Sequence, residues 1–166
     1  MGYTTKFTGE FTIDREIDPQ LAEYINRFAN VRHMKRDVEM TKVIYSNWKE
    51  LCFRNRLGKD GEYLAIVSKK HGQEITQDII DYNNPPDTQP GLWCKWIIGE
   101  DRQSIKWNGA EKFYDYVEWL QYIIDNFLVP NGYTVNGSVN YQGEDFEDQG
   151  TVIVKDNHVT TGMPWN

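Results

Sequence analysis

LWCKWIIGEDRQSIKWNGAEKFYDYVEWLQYIIDNFLVPNG, residues 92–132, is the stretch that decides the fold. Two apolar and aromatic segments, residues 92–98 and 103–107, lie on either side of the turn sequence Gly99-Glu100-Asp101. Two such segments joined by a short polar turn are typical of a β-hairpin.

The second part of this stretch predicts a helix. Asn108 is a good N-cap residue, and Glu111 three positions later completes a capping box. Pro130-Asn131-Gly132 ends the helical pattern, because glycine readily adopts the left-handed conformation found at helix ends. One apolar face at helical spacing consists of Phe113, Val117, Leu120, Ile124 and Phe127.

Further elements flank this stretch. Apolar and polar side chains alternate in residues 6–13, which predicts a half-buried strand. Asp18-Pro19 opens a helix that is expected to run to about Arg36. The alternation in residues 133–141 predicts a long strand, with residues 151–155 as its hairpin partner.

The middle of the chain, residues 37–91, is interpreted as a variable insertion. Residues 63–67 are expected to form a short strand and residues 75–82 a short helix. At the other end, residues 158–166 are expected to form a loose tail.

These elements predict a single α+β domain over residues 1–166. Without the insertion their order is βαββαβ followed by one more strand. The simplest packing is an antiparallel sheet with two main helices on one face, as in a ferredoxin-like plait.

The composition indicates a folded, cytoplasmic protein. Of 166 residues, 39% are hydrophobic and 14% aromatic, which supplies enough apolar surface for a core. The two cysteines are too few for a disulfide framework, and reduced thiols are typical of the cytosol. No apolar run approaches the roughly 18 residues of a membrane span, so we expect no membrane partner.

No catalytic signature is present. The three histidines do not form a metalloprotease motif, and the sequence contains no nucleophile elbow, phosphate-binding loop or dinucleotide fingerprint. We therefore expect a non-enzymatic protein without a cofactor or metal. An enzyme of unrecognised type is kept as an alternative.

The densest charged feature lies between the last two predicted strands. Four carboxylates stand within five residues, on Glu144, Asp145, Glu147 and Asp148. Three interpretations stay open: a docking site for a protein partner, an oxygen-rich cation site, or a solvated hairpin tip.

Basic residues are concentrated elsewhere. Residues 27–59 hold nine Lys or Arg against three Asp or Glu, although the whole chain carries a net charge of −7. Arg27, Arg32 and Arg36 could bind phosphate, and Trp93 or Trp96 could stack on a base, so a nucleotide is a candidate ligand. The alternative is a solvated helix face beside core tryptophans. An acidic chain is not expected to bind nucleic acid in general.

The second half resembles a family of small, uncharacterised proteins of phages and prophages. The matching residues are Asp81-Tyr82-Asn83 with Pro85-Pro86, Gln89 to Cys94, Gly109 to Tyr114, Tyr116 to Leu120, Asn136-Gly137 and Gln142 to Asp145. No assigned activity comes with this resemblance.

The resemblance implies that the chain acts in the cytoplasm of a host cell. Together with the uneven charge, it favours a binding protein that inhibits a host protein, either a defence factor (an anti-CRISPR-like role) or a regulatory factor. The alternative is a protein that binds or sequesters a nucleotide.

Overall fold

The computed structural model describes residues 2–163 and is a mixed α+β structure. Its residues form two compact units, one of residues up to Ala22 and from Lys95 onward, the other of residues 23–94. The single domain expected over residues 1–166 stays a prediction. In chain order the elements are β1 (Lys6–Thr8), β2 (Phe11–Ile13), α1 (Pro19–Phe28), β3 (Lys35–Arg36), α2 (Val38–Ile44), β4 (Ile79–Asp81), β5 (Trp96–Ile98), β6 (Ser104–Trp107), α3 (Tyr116–Ile123), β7 (Val135–Gln142), β8 (Gln149–Lys155) and β9 (His158–Gly162).

The first unit is built on an antiparallel sheet. Among the described residues its strands lie in the order β5-β6-β2-β7-β8-β9, and β1 also pairs with β7. The predicted α+β class and antiparallel sheet are confirmed. The sheet is larger than that of a ferredoxin-like fold, and the described chain has three α-helices rather than two.

The strand predicted over residues 6–13 is present in two pieces. Thr8 pairs with Asn140 and Phe11 with Gly137, so β1 and β2 keep one register along β7. Between them Gly9 has a φ of +104°, which interrupts the ladder. The predicted alternation is confirmed, because Phe7, Phe11 and Ile13 are all buried.

The predicted hairpin is confirmed as β5 and β6. Trp96 pairs with Trp107 and Ile98 with Ile105 across the two strands. The side chains of Trp96, Ile98 and Ile105 are buried in the core of the unit.

The capping box predicted at Asn108 is wrong. The Asn108 Oδ1 atom accepts a hydrogen bond from the Ala110 N–H at 2.8 Å, and Gly109 has a φ of +87°. Lys112 and Asp115 also adopt left-handed conformations, with φ of 61° and 56°, which a helix does not accommodate. The helix α3 therefore begins at Tyr116, seven residues later than predicted.

The predicted end of this helix is confirmed. After α3 the chain continues through a π-helical turn, Ile124–Leu128, and a 3₁₀ turn, Val129–Asn131. Gly132 then takes a φ of +79°, which stops the helix.

The loose tail predicted from residue 158 is wrong over residues 158–162. Asp156 and Asn157 have φ of 47° and 72°, which makes the tight two-residue turn that joins β8 to β9. The β-branched residues Val159, Thr160 and Thr161 suit this strand. Residues 164–166 of the predicted tail lie outside the described residues.

The beginning of α1 is as predicted, but its end is not. The Asp18 carboxylate accepts hydrogen bonds from the Gln20 and Leu21 N–H groups, as an N-cap should. The helix ends at Phe28, because the N–H groups of Arg32 and His33 bond to distant backbone carbonyls at 2.9 and 2.8 Å instead of to their own helix.

The second unit has little regular structure. The strand predicted over residues 63–67 is absent from the described structure, and the helix predicted over residues 75–82 is instead the strand β4, paired with β3.

Asp37 caps α2 by accepting from the N–H groups of Glu39 and Met40. A small core holds Val31, Leu51, Cys52, Leu57, Leu64 and Ile66. No helix within residues 2–163 has the length and apolar character needed to cross a membrane.

Gln121 of α3 covers part of the outer edge of β9, and this generates a first prediction. Its Oε1 atom accepts from the Val159 N–H at 2.9 Å, and its Nε2 atom donates to the Asn157 carbonyl at 2.9 Å. In Gln121→Ala we expect the Val159 amide to exchange with deuterium about fivefold faster, since a lost hydrogen bond costs about 1 kcal/mol. Asp125→Ala is the control, because it removes a carboxylate that accepts from Gln121 Nε2 at 2.9 Å but leaves both contacts of Gln121 with Asn157 and Val159. Equal Val159 exchange in all three proteins, measured by NMR, would contradict this role.

Candidate functional site

The four predicted acidic residues lie on a closed hairpin tip. We call residues 143–148, between β7 and β8, the acidic tip. The Gly143 N–H donates to the Asp148 carbonyl at 2.7 Å, and the Asp148 N–H donates to the Asp145 carbonyl at 3.0 Å. The Gln142 side chain donates to the carbonyls of Gly143 and Asp145 at 3.0 and 3.1 Å. The acidic tip therefore has a defined backbone conformation.

Residues 3–4, which we call the N-terminal strap, engage two of the four carboxylates. The Tyr3 hydroxyl donates to Asp148 Oδ2 at 2.7 Å and accepts from the Asp145 N–H at 3.1 Å. The Thr4 N–H donates to Glu144 Oε1 at 2.8 Å. The hydrogen bond from Asp145 lowers the pKa of Tyr3, but the Asp148 carboxylate and desolvation together raise it above its ordinary value. The hydroxyl thus stays protonated and continues to donate to Asp148.

The remaining part of the acidic tip faces solvent. Phe146 is 82% exposed, the largest exposure of any large hydrophobic residue in the described chain. On either side of it, the carboxylates of Asp145 and Glu147 accept no hydrogen bond from a described residue. A shallow depression is lined by residues 145–148. Phe146 was missed from sequence, although an aromatic residue inside a run of acids is the signal that could have identified it.

The structure places the predicted phosphate-binding arginines against their own unit. Arg27 Nε donates to the Ala65 carbonyl at 2.6 Å, and its Nη1 lies 3.6 Å from Glu23. Arg32 donates twice to the Tyr82 carbonyl, at 3.2 and 3.1 Å, and its guanidinium lies 4.2 Å from the centre of the Tyr82 ring.

Arg36 is buried in an ion pair. Its side chain is 4% exposed, and its Nη1 lies 2.7 Å from Oδ2 of the fully buried Asp78. The same carboxylate accepts a hydrogen bond from Thr41 Oγ1 at 2.8 Å and another from the Thr76 hydroxyl. Burial alone would raise the pKa of Asp78, but the Thr76 hydroxyl and the Arg36 charge together hold it below its ordinary value.

The two candidate stacking residues belong to different units. Trp93 is half-buried in the second unit, whereas Trp96 is completely buried in the first and donates from Nε1 to the Tyr116 carbonyl at 2.8 Å. Because Arg36 and Trp96 are buried with satisfied polar groups, the structure gives both a structural role. Ligand binding by Arg27, Arg32 and Trp93 stays a prediction.

Two other buried side chains of the second unit, Cys52 and His33, are kept neutral. Desolvation raises the pKa of Cys52 to about 12 and lowers the pKa of His33 to about 4. His33 Nε2 lies 2.8 Å from the Phe28 carbonyl, so this nitrogen carries the proton and donates. Within residues 2–163, no group of three or more His, Cys, Asp or Glu side chains is placed to hold a metal ion.

Comparisons of the chain with protein-family models, with curated proteins and with solved structures give no match. The resemblance to phage and prophage proteins therefore stays a prediction. A function has to be argued from the chemistry of the exposed surfaces.

A second prediction concerns Asp78. In Asp78→Ala, Arg36 loses its buried counter-charge, so we expect the free energy of unfolding to fall by about 3–5 kcal/mol. Asp87→Ala is the matched control: Asp87 pairs with Lys35 at 3.0 Å but its side chain is 64% exposed, so its loss should cost at most about 1 kcal/mol. Urea unfolding followed by tryptophan fluorescence measures both, and equal losses would contradict the assigned role of Asp78.

The same carboxylate makes stability depend on pH. The pKa of Asp78 is lower in the folded chain than in the unfolded chain. The contribution of Asp78 to the free energy of unfolding is therefore fully present above the pKa of an unfolded Asp, about 3.9. It is lost as the pH falls through the pKa that Asp78 has in the folded chain. The stability difference between the wild type and Asp78→Ala should therefore shrink below about pH 4.

Proposed function

We propose that this chain is a non-enzymatic binding protein that attaches through the acidic tip to a basic protein surface in a host cell. The observation that carries this proposal is the exposure of Phe146 between the unpaired carboxylates of Asp145 and Glu147. An exposed aromatic side chain adds nothing to the stability of the fold, but it gains free energy when it fills a pocket on a partner.

The carboxylates beside Phe146 supply a different part of the interaction. Charges around an apolar anchor steer association and select partners of the opposite sign more than they add affinity. The hydrogen bonds from Tyr3 and Thr4 keep the acidic tip in one conformation, which reduces the entropy lost on binding. The partner that fits is a protein with an apolar pocket bordered by Lys or Arg.

The resemblance to phage and prophage proteins supports a host partner in the cytoplasm, and a defence factor or a regulatory factor is the class we favour. Sequestration of a nucleotide is the second candidate. It has less support, because Arg36 and Trp96 are buried and Arg27 and Arg32 donate to backbone carbonyls. An enzyme of unrecognised type stays the third candidate.

We also propose that part of the chain is related to a ferredoxin-like plait. The order β2, α1, β5, β6, α3, β7 along the chain supports this proposal, as does the antiparallel strand order β5-β6-β2-β7. In this view β1 extends β2, and β8 and β9 extend the sheet beyond β7.

A third prediction tests the acidic tip as a docking site. Host proteins retained by the wild-type chain should be lost when Phe146→Ala is the bait, since removal of a central aromatic anchor costs about 2 kcal/mol or more, roughly thirtyfold in affinity. Val129→Ala is the matched control, because Val129 is 44% exposed in the same unit but lies outside the acidic tip.

Charge reversal separates steering from anchoring. In Asp145→Lys with Glu147→Lys, association with the captured partner should be slower and less dependent on salt, as measured by surface plasmon resonance. A partner that binds both tip variants as tightly as the wild type would refute the acidic tip as the site, provided that the variants melt at the wild-type temperature.

A further inference from the structure

An asparagine is followed by a glycine at three places in the chain, Asn108-Gly109, Asn131-Gly132 and Asn136-Gly137. Such a pair is prone to react with itself, because glycine has no side chain to shield its backbone nitrogen. That nitrogen can attack the side-chain carbonyl carbon of the asparagine before it. All three pairs are exposed to solvent, so exposure does not distinguish them.

Hydrogen bonds at the end of a helical turn restrain the pair at residues 131–132. The Gly132 N–H donates to the Val129 carbonyl at 2.9 Å, which makes its proton harder to remove. Asn131 Nδ2 donates to the Phe127 carbonyl at 2.8 Å, which directs the carboxamide back toward the preceding turn. Nucleophile and electrophile are therefore held apart at this pair.

The sheet restrains the pair at residues 136–137. Gly137 lies within β7, paired with Phe11 of β2 on one side and with Val154 of β8 on the other. Asn136 Oδ1 accepts a hydrogen bond from the Asp156 N–H at 2.9 Å. Ring closure requires the asparagine to rotate about its backbone bonds, and a strand between two neighbours cannot do so without breaking ladder hydrogen bonds.

The pair at residues 108–109 has neither restraint. It follows β6, outside any helix or strand, and no described residue accepts a hydrogen bond from the Gly109 N–H. A Cβ atom placed on Gly109 would meet no atom within 4 Å beyond its two chain neighbours. The backbone at this glycine therefore has room to rotate, and its nitrogen is open to solvent.

The side chain of Asn108 is directed at the same backbone. Its Oδ1 atom accepts a hydrogen bond from the Ala110 N–H at 2.8 Å, so the carboxamide lies against the chain that follows it. The hydrogen bond also draws electrons from the side-chain carbonyl, which makes Cγ a better electrophile. Both reacting groups are thus supplied at this pair.

We propose that Asn108-Gly109 is a site of spontaneous deamidation in the folded protein, which yields isoaspartate and aspartate at position 108. The Gly109 nitrogen gives up its proton to solvent and forms a bond with Cγ of Asn108. The bond from Cγ to Nδ2 then breaks, and Nδ2 leaves as ammonia after taking up a proton. Water opens the resulting succinimide at one or the other carbonyl, and no oxidant or reductant is needed.

Isoaspartate would alter the chain at a constrained place. It adds a methylene group to the backbone between β6 and α3, where Trp107 Nε1 donates to the Ala110 carbonyl at 3.0 Å across the reacting pair. The site lies outside the acidic tip, so this proposal does not depend on the proposed function.

The test compares the three pairs within one chain. The full-length protein is incubated in mildly alkaline buffer and digested, and mass spectrometry follows each asparagine, since deamidation adds about 1 Da. We expect Asn108 to be converted, with isoaspartate among the products, while Asn131 and Asn136 keep their amides. In urea, where the restraints of the fold are lost, all three should react at similar rates.

Two matched variants test the role of the glycine. Gly109→Ala should lose the conversion of Asn108, because the added Cβ shields the nitrogen. Gly132→Ala is the control, since it places the same side chain at a similar φ, +79° against +87°, and should leave the conversion of Asn108 unchanged. Melting temperatures check that both variants are folded.

Three results would overturn the proposal. Folded protein in which Asn131 or Asn136 reacts as fast as Asn108 would show that the dipeptide alone sets the rate. An Asn108 that keeps its amide in the folded chain, while the chain in urea is fully converted, would show that the fold protects it. Conversion in Gly109→Ala at the wild-type rate would exclude attack by the nitrogen of residue 109.

Discussion

The indole of Trp96 is enclosed by aromatic rings from three other parts of the first unit. Phe7, Phe11 and Phe113 lie 5.3, 5.6 and 5.3 Å from it, each edge-on, which is the arrangement that aromatic quadrupoles favour. Its N–H donates to the Tyr116 carbonyl at the start of α3. One side chain of β5 thus fixes the positions of β1, β2, the segment before α3, and α3 itself. Since β1 and β2 both pair with β7, this contact also sets the strand that carries the acidic tip.

In the second unit, the buried carboxylate of Asp78 holds neighbouring elements together, as Trp96 does in the first unit. Asp78 has no exposed surface, and a buried carboxylate is tolerated only when its lost hydration is replaced. Arg36 of β3, Thr41 of α2 and Thr76 before β4 replace it with three hydrogen bonds. This arrangement requires Thr41 to point inward. Val43, on the opposite side of α2, is then left 76% exposed, whereas Val38 packs against the small core of the unit.

The parts of the fold that depend on neighbouring residues are predictable from the sequence. The alternation of apolar and polar residues over 6–13 predicts which face of β1 and β2 is buried. The turn sequence at Gly99 predicts the hairpin of β5 and β6. The start of α3 is not predictable in this way, because Asn108 bonds within its own turn instead of capping a helix. Likewise, four carboxylates are visible in the acidic tip, but nothing local indicates that Tyr3, 145 residues from Asp148, engages one of them. Its place in a basic stretch makes Arg36 a candidate phosphate ligand, and only the fold shows that its partner is Asp78.

Charge alone is weak evidence for a binding surface, because runs of like charge are usually solvated. The acidic tip differs from an ordinary charged surface in that it presents an aromatic side chain, Phe146, that the fold leaves exposed. Removing Phe146 or Val43 should therefore leave stability nearly unchanged, whereas removing Trp96 or Asp78 should destabilise the unit that contains it. Phe146 is exposed and does not stabilise the fold, and the hydrogen bonds of Tyr3 and Thr4 hold the acidic tip around it. The free energy that Phe146 would gain on burial can therefore be gained by binding a partner.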